Sequence, residues 1–223
     1  MSARDEIFAN IRRSLGVTGS ERPRRGIADE RLERSPPGVV PARGQVSGEE
    51  LLALFRTMAE SALATVAEVE SPADVPLAVA QYLRDHNLPA AIRMGEDLRL
   101  KTMPWEGTSL ELARGPSAGS DLNAVSHAFG AVAESGTIAM VSGPDNPSTL
   151  NFLPDNHIVV VRAKDVTGDY ETLWRKARSA FGKGAMPRTV NFITGPSRSG
   201  DIEQTMLLGA HGPRRLHVVV VND

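Results

Sequence analysis

The stretch TGPSRSGDIEQTMLLGAHGPRRLHVVVV, at residues 194–221, joins two glycine-containing turns to a terminal apolar run over 216–221. Two other runs, 137–141 and 157–161, are also nearly all apolar, and 189–194 alternates apolar and polar side chains. Short, near-continuous apolar runs are typical of strands that are buried on both faces of a sheet. The sequence therefore predicts four strands in its second half.

Amphipathic helical patterns separate the predicted strands. Ser47 and Glu50 form a capping-box sequence ahead of apolar residues at helical spacing, a second helix begins at Ser71, and a third ends at Gly182. Strands that alternate with helices indicate a parallel sheet covered on both faces. We therefore predict an α/β domain over residues 47–223, with a mostly parallel sheet flanked by helices on both faces.

Two loops follow predicted strands and are candidates for ligand binding. In open α/β sheets, ligands bind beyond the carboxyl ends of the strands, and this rule selects residues 142–156 and 195–203. The pattern also predicts two short helices beside these loops, one around 128–133 and one through 204–208, with a glycine ending the second.

Residues 1–46 differ in character from the rest of the chain. A short helix is predicted over 3–15, capped by Ser2 with Asp5 three positions later. Its apolar stripe needs a surface to pack on, which is the body of the protein or, in an oligomer, another subunit. Residues 17–46 are rich in Arg, Pro and Gly, so we predict an extended, flexible arm. Acidic residues are interleaved with its arginines, which favours a solvated arm over a nucleic-acid-binding tail.

Composition excludes several classes of function. The 223 residues are 41% hydrophobic, carry a formal charge of −2, and include no cysteine. The small net charge gives no sign of a nucleic-acid or membrane partner. No apolar run is long enough to span a membrane, and the amino terminus does not resemble a secretory signal. Without cysteine there is no disulfide, thiolate nucleophile or cysteine-ligated cluster in this chain. We expect a cytoplasmic protein.

The segment AESGT at residues 133–137 places a carboxylate before a glycine turn. Glu134 directly precedes Ser135 and Gly136, at the start of a strand that is predicted to be buried. Glu134 is thus a candidate nucleophile or general base, with Ser135, Gly136 and Thr137 as candidate anion-binding positions. The alternative is structural: the carboxylate accepts hydrogen bonds from nearby backbone and stabilises the turn.

The first turn of the opening stretch is a candidate anion site. Its short polar side chains and backbone N–H groups lie beside a guanidinium, as in sites for carboxylates or phosphates. The residues concerned are Gly195, Ser197, Arg198, Ser199 and Asp201. It matches neither the Walker loop nor the Rossmann fingerprint. In the alternative interpretation the turn is structural, with Asp201 capping a helix and Arg198 in an ion pair.

Two histidines are candidates for chemistry. His211, in the second turn, is a candidate proton shuttle or a structural hydrogen-bonding residue. Asp155 and His157 lie two residues apart at the start of a strand, but no third ligand accompanies them. We therefore expect no metal site, and a His157 that is hydrogen-bonded where its strand begins.

Three segments together carry a family resemblance: AESGT at 133–137, LPDNHIVVV at 153–161 and the opening stretch at 194–221. They resemble the LutC/YkgG family, the lactate utilization proteins C, which are built on the LUD domain. The resemblance extends over essentially the whole chain. Ser135 and Ser199 stand where the family most often has Thr, and both substitutions keep the hydroxyl.

The resemblance implies a fold like that of NagB, RpiA and the CoA transferases. It also implies a role in the oxidation of L-lactate to pyruvate, alongside iron–sulfur partner proteins. The chain has no cysteine to ligate a cluster, so we expect no cofactor here and iron–sulfur clusters only in those partners. CoA transferases place a nucleophilic Glu in a Glu-x-Gly turn, to which Glu134-Ser135-Gly136 is similar.

Three hypotheses for the function follow. The first is a non-redox subunit of a lactate-oxidising system that binds a small carboxylate or assists assembly. The second is a stand-alone enzyme that is similar to CoA transferases or sugar-phosphate isomerases and uses Glu134. The third is a regulatory protein that senses small carboxylates. We favour the first, with Arg198 as a stronger candidate for binding than any residue is for catalysis.

Overall fold

The computed structural model describes residues 2–182, 184–199 and 207–222. The chain divides into two compact units, Met1–Val39 and Val40–Asp223. The first unit contains α1 (Ala3–Leu15) and α2 (Arg22–Arg34). The backbone N–H of Asp5 donates to Ser2 Oγ at 3.3 Å, which completes the predicted capping box of α1.

Helix α2 lies inside the segment for which an extended arm was expected. The segment is poor in residues that bury surface, and α2 indeed has no buried residue. Arg, Ala, Glu and Leu nevertheless favour the helix without tertiary packing, and Pro23 is tolerated in its first turn. Arg34 and Glu30 also form an i,i+4 ion pair at 2.9 Å.

The second unit contains the remaining helices and strands. Its helices are α3 (Gly48–Ser61), α4 (Val75–Asp85), α5 (Leu98–Lys101), α6 (Thr149–Phe152) and α7 (Tyr170–Phe181). Its strands are β1 (Thr65–Val69), β2 (Ala91–Met94), β3 (Glu111–Arg114), β4 (Asn123–His127), β5 (Gly130–Val132), β6 (Thr137–Val141), β7 (Asn156–Arg162), β8 (Val166–Thr167), β9 (Val190–Ile193), β10 (Arg198–Ser199), β11 (Leu207–Leu208) and β12 (Arg215–Val221). Short 3₁₀ turns lie at Ala42–Gly44, Pro72–Asp74, Trp105–Gly107 and Ala163–Asp165.

A six-stranded sheet with the order β1-β12-β7-β4-β2-β3 forms the centre of this unit, and every pairing in it is parallel. Helices α4 and α5 cover one face through residues that include Val79, Leu83 and Leu100. Helix α3 covers the other face through Phe55 and Ala59. The predicted α/β architecture, a mostly parallel sheet flanked by helices, is confirmed.

A second sheet, β8-β5-β6-β9, packs with α3 against the same core. In it β6 pairs antiparallel with both β5 and β9. The runs 137–141 and 189–194 were expected in the parallel sheet, and this expectation is wrong. An apolar run indicates that a strand is buried, but it carries no information about which strand pairs with it.

Two segments for which short helices were predicted form strands at their described residues. The segment around 128–133 contains strand β5 rather than a helix, because its small and β-branched residues pair with β6 and β8. Of the helix predicted through 204–208, the described residues Leu207 and Leu208 form β11, which pairs antiparallel with Arg198 and Ser199. Residues 204–206 lie outside the described part of the chain.

The glycines of two motifs bring the second sheet close to α3. Gly136 has φ +64°, and a Cβ there would lie 2.2 Å from the backbone nitrogen of Ala59. Gly195 has φ +71°, and a Cβ there would lie 1.9 Å from the carbonyl oxygen of Ala62. Both positions thus require glycine for backbone conformation and for space.

Candidate functional site

A cavity of about 230 Å³ lies between the amino ends of β7 and β12 and the loop that follows β9. We call it the motif cavity, because most of its lining comes from the sequence segments singled out above. It is lined by Asn151, Phe152, His157, residues 192–197, residues 211–213 and Leu216. The segments 142–156 and 195–203 were selected because they follow predicted strands, and they do follow β6 and β9. The parts of them that line this cavity, 151–152 and 195–197, lie near the amino ends of two strands of the parallel sheet.

Asn151 supplies an unpaired amide to the motif cavity. It belongs to the short helix α6, its side chain is 0% exposed, and neither Nδ2 nor Oδ1 has a hydrogen-bond partner within residues 2–182, 184–199 and 207–222. A buried polar group without a partner costs about 1–3 kcal/mol of stability. Buried polar atoms in folded proteins are nearly always paired, so an unpaired amide in the wall of a cavity indicates a position for a ligand or an ordered water.

His157 supplies a second unpaired group. Its Nε2 lies 3.1 Å from Ser126 Oγ on the adjacent strand β4, whereas its buried Nδ1 has no partner among the residues that the structure describes. Burial lowers the pKa of His157 to about 3, so the ring is neutral at physiological pH. Asp155, by contrast, is exposed and lies 3.9 Å from Arg214. The expected hydrogen bond of His157 at the start of its strand is present.

Backbone hydrogen bonds hold the two turns that line the motif cavity. Ser197 N–H donates to the carbonyl of Pro213 at 2.8 Å, and Gly209 N–H donates to the carbonyl of Ser197 at 2.9 Å. The backbone N–H of His211 donates to Ser197 Oγ at 3.3 Å. Ser197 thus joins the turns at the cavity wall, and the exposed ring of His211 lies at its mouth.

A network of hydroxyl groups connects the AESGT segment to the motif cavity. Thr137 Oγ1 lies 2.8 Å from Ser135 Oγ, 2.8 Å from Tyr170 OH and 2.6 Å from Thr194 Oγ1. Thr194 lines the cavity, and Thr137 is fully buried. The structure therefore brings Ser135 and Thr137 together with the first turn of the opening stretch, as neighbours of the cavity rather than as lining residues.

Glu134 lies at the amino terminus of α7. Its Oε1 accepts from Tyr170 N–H at 3.3 Å, in the first turn of that helix, where a carboxylate interacts favourably with the unpaired N–H groups. The side chain is 4% exposed, and Oε2 has no hydrogen-bond partner in the described part of the chain. Glu134 does not line the motif cavity. This geometry fits the structural alternative, except for the unpaired oxygen.

The remaining candidate residues lie apart from the cavity. Arg198 is exposed on β10 and does not line the motif cavity, while Ser199 is buried beside it. Asp201 lies outside the described residues. Within residues 2–182, 184–199 and 207–222, no group of three His, Asp or Glu side chains is arranged to hold a metal ion. In the same ranges, no helix has both the length and the apolar character to cross a membrane.

Asn151 was not predicted from the sequence, and His157 was predicted to be hydrogen-bonded but not to line a cavity. Asn151 escaped notice because one amide in the short TLNF helix has no periodic signature, and its unpaired state is a tertiary property. His157 was considered only as a metal ligand or a structural residue. The signal that was available is the density of polar residues in NFLPDNH, where a buried strand begins.

The motif cavity combines a polar floor with apolar walls. Asn151 offers both a donor and an acceptor, and His157 offers one nitrogen. Phe192, Ile193 and Leu216 supply apolar surface. Small-molecule sites have this composition: mostly apolar lining with a few placed polar groups. The arrangement suits a small ligand that has a carboxylate or carbonyl at one end and an alkyl group at the other.

Fold and cavity together define an α/β protein with a small, partly polar cavity at the amino ends of two strands of its parallel sheet. The sequence profile of the LUD domain matches residues 52–221. Lactate utilization protein C of Exiguobacterium sp. is 30% identical over 191 residues, which cover 79% of this chain and 80% of that protein. The chain belongs to the LUD domain family.

Shorter matches and a solved structure agree with this assignment. Lactate utilization protein C of Geobacillus thermodenitrificans is 38% identical over 93 residues, and that of Shouchella clausii is 34% identical over 92. Each match covers 41% of this chain, which spans 39% and 40% of the lengths of these relatives. A DUF162 family protein from Deinococcus radiodurans has the same fold, with a TM-score of 0.59, 23% identity, and coverage of 79% of this chain and 99% of that one.

Proposed function

We propose that this protein is a non-redox component of an L-lactate utilization system and that it binds a small carboxylate in the motif cavity. The names of its relatives support the role in lactate utilization. The observation that carries the binding proposal is the pair of unpaired buried groups, on Asn151 and His157, that line one small cavity.

The chemistry of the cavity favours a three-carbon acid. Asn151 Nδ2 would donate to a carboxylate oxygen, His157 Nδ1 would pair with the 2-hydroxy or 2-oxo group, and the methyl group would lie against Ile193 and Leu216. Each pairing would replace an unsatisfied buried group by a satisfied one, so binding would recover the cost of leaving it unpaired. Ser197 and the mouth residue His211 would complete the polar contacts.

Electron transfer would take place elsewhere. The chain has no cysteine with which to ligate an iron–sulfur cluster, so we assign the redox chemistry to iron–sulfur partner proteins. This protein would present or retain the acid, or assist assembly, without a cofactor of its own. A cytoplasmic location and an oligomer formed through the amphipathic stripe of α1 belong to the same proposal.

Calorimetric titration with L-lactate and with pyruvate tests the binding proposal. Asn151→Leu keeps the size of the side chain and removes the amide, and Asn222→Leu is the matched control, because Asn222 follows the carboxyl end of β12 and does not line the motif cavity. We expect Asn151→Leu to weaken binding about tenfold or more, and Asn222→Leu to bind like the parent. Equal binding by all three proteins, or none by the parent, would exclude the cavity as the site.

Reconstitution with the iron–sulfur partners tests the role in the system. We expect stoichiometric association and a loss of lactate oxidation when this protein is omitted. Asn151→Leu should associate normally and fail to restore full oxidation, which separates binding from assembly. Absence of both association and any effect on oxidation contradicts the proposed role.

A second candidate function has one observation in its favour, the unpaired Oε2 of buried Glu134. In a CoA-transferase-like or isomerase-like enzyme this carboxylate would act as nucleophile or base. Glu134→Gln keeps the acceptor for Tyr170 N–H and removes the charge. Transfer or isomerisation activity in the parent that is lost in Glu134→Gln would support this function. If the parent has no such activity and only stability changes, Glu134 is structural.

The third candidate, a carboxylate-sensing regulator, predicts ligand binding without any effect on the reconstituted oxidation.

A further inference from the structure

The parallel sheet has a switch point between β2 and β4. The chain adds β3 on the outer side of β2, whereas after β4 it continues to β7 on the opposite side. Such a reversal opens a crevice outside the carboxyl ends of the two strands, where open α/β sheets bind ligands. A second cavity of about 230 Å³ lies there, lined in part by Asp97, Arg99, His127 and the loop 142–146. We call it the switch-point cavity.

His127, the last residue of β4, presents an unused acceptor to this cavity. Its Nδ1 lies 2.8 Å from the carbonyl oxygen of Ala128, so Nδ1 carries the hydrogen and Nε2 carries a lone pair. Within the described residues, Nε2 has no hydrogen-bond partner. Burial, and then the charge of Arg99, lower the pKa of His127 to about 4, so the acceptor persists at neutral pH.

Arg99 supplies donors beside this acceptor. Its Nε and one terminal nitrogen donate to the two carboxylate oxygens of Asp97, at 2.9 and 2.5 Å. The pair holds the guanidinium in a fixed orientation, and Asp97 is itself only 8% exposed. A guanidinium has five N–H donors, so three remain after this pairing. No other ion pair of Arg99 occurs among the described residues.

We infer that the switch-point cavity is a binding site for a small hydroxy-carboxylate, whose hydroxyl donates to His127 Nε2 and whose carboxylate accepts from Arg99. A neutral imidazole with a free lone pair requires a hydrogen donor, which a hydroxyl supplies and a 2-oxo group does not. The guanidinium favours a planar carboxylate. Asp145 at the exposed rim disfavours a more highly charged anion such as a phosphate ester.

The switch-point cavity is separate from the motif cavity and differs from it in selectivity. Asn151 has both a donor and an acceptor, so the motif cavity accepts hydroxy and oxo acids alike. The switch-point cavity selects the hydroxy form. A protein with both sites would distinguish the reduced acid from the oxidised one through His127.

The test is calorimetric titration of the full chain carrying Asn151→Leu, which disables the motif cavity, with glycolate, acetate and glycerol. We expect glycolate to bind, and acetate and glycerol to bind about tenfold more weakly or not at all. Adding His127→Phe or Arg99→Met should weaken glycolate binding by a similar factor. Unchanged glycolate affinity in both variants, or acetate binding as tight as glycolate binding, overturns the inference.

A measurement on the parent chain guards against misfolding of the His127 variant. In a long-range ¹H–¹⁵N spectrum of the histidine rings, glycolate should shift the Nε2 resonance of His127 and leave that of His217 in place. A glycolate titration that moves neither His127 nitrogen contradicts the site. Asn151→Leu disables the motif cavity, and His127→Phe disables the switch-point cavity. Binding that is insensitive to Asn151→Leu contradicts the proposed function, whereas glycolate binding that is insensitive to His127→Phe and Arg99→Met contradicts this inference.

Discussion

The ring of His217 on β12 stacks on the ring of Tyr82 on α4, with centroids 3.9 Å apart and planes inclined by 10°. His217 Nδ1 also lies 2.8 Å from Thr65 Oγ1, while its buried Nε2 has no partner in the part of the chain that is described. Burial, reinforced by the nearby His86, lowers the pKa of His217 to about 4. The stack thus fixes a neutral histidine between the sheet and its covering helix.

His217 makes the stability of the fold depend on pH. An unfolded histidine titrates near 6.5, so between about pH 6.5 and 4 the unfolded chain binds more protons than the folded one. Stability is therefore complete above this window and falls as the pH is lowered through it. His217→Phe keeps the stack and removes the titration. When the pH is lowered from 7.5 to about 5, we expect the free energy of unfolding to fall by about 2 kcal/mol less in this variant than in the parent.

Urea unfolding at a series of pH values measures this difference. The change in stability between the two pH values is compared within each protein, so an offset from the lost contact with Thr65 cancels. Parallel pH profiles for parent and variant would contradict the assignment of a depressed pKa to His217.

Asn151 and Asn123 are both buried, but they differ in hydrogen bonding. The side chain of Asn123 donates to the carbonyls of Pro89 and Ala91 and accepts from Asn156, whereas the side-chain amide of Asn151 has no partner among the described residues. Asn151→Leu should leave stability unchanged or raise it by about 1 kcal/mol, while Asn123→Leu should lower it by about 2–3 kcal/mol. Chemical denaturation of both variants without ligand measures the contrast. A large loss from Asn151→Leu would assign this amide to the structure rather than to a ligand.

The sequence predicted the parallel sheet because its signals are local. Helix caps such as Ser2 with Asp5, and apolar runs such as 157–161, depend on neighbouring residues. Which strands pair with β6 and β9 depends on contacts with distant parts of the chain. The two strands were therefore expected in the parallel sheet, although they lie in the second sheet. Helix α2 was not predicted, because residues 17–46 have few side chains that could be buried and were therefore expected to be extended.

The sequence singled out two turns that line the motif cavity, but not the buried side chains that meet there. The turns at 195–197 and 211–213 do line a cavity, and Ser197 joins them. Arg198, the favoured anion-binding residue, instead lies exposed on β10. Its orientation follows from the pairing of β10 with β11, where a helix was expected. Unpaired buried atoms such as those of Asn151 are visible only once the fold has assembled.

Gly195 offers a test of the close approach between the motif turn and α3. Ala at either Gly195 or Gly48 occupies a left-handed backbone conformation, φ +71° or +59°, which costs about 1–2 kcal/mol. Only at Gly195 does the Cβ also overlap backbone, because the Ala62 carbonyl is 1.9 Å away, whereas nothing lies within 4 Å at Gly48. We expect Gly195→Ala to cost about 1–3 kcal/mol more than Gly48→Ala. Equal unfolding midpoints in urea would show that the turn is free to move away from α3.

Thr137 Oγ1 lies 2.6 Å from Thr194 Oγ1. This contact links the buried strand β6 to the motif cavity, which Thr194 lines. Thr→Val at each position removes the hydroxyl and keeps the shape of the side chain. Either substitution removes the hydrogen bond between the two hydroxyls, so the second change costs less once the first is made and the two should not be additive. A double-mutant cycle in urea should give a coupling energy of about 0.5–3 kcal/mol. The same cycle on lactate affinity, measured by calorimetry, should also couple, because Thr194 lines the cavity that Thr137 supports. Coupling in stability without coupling in affinity would limit the network to a structural role.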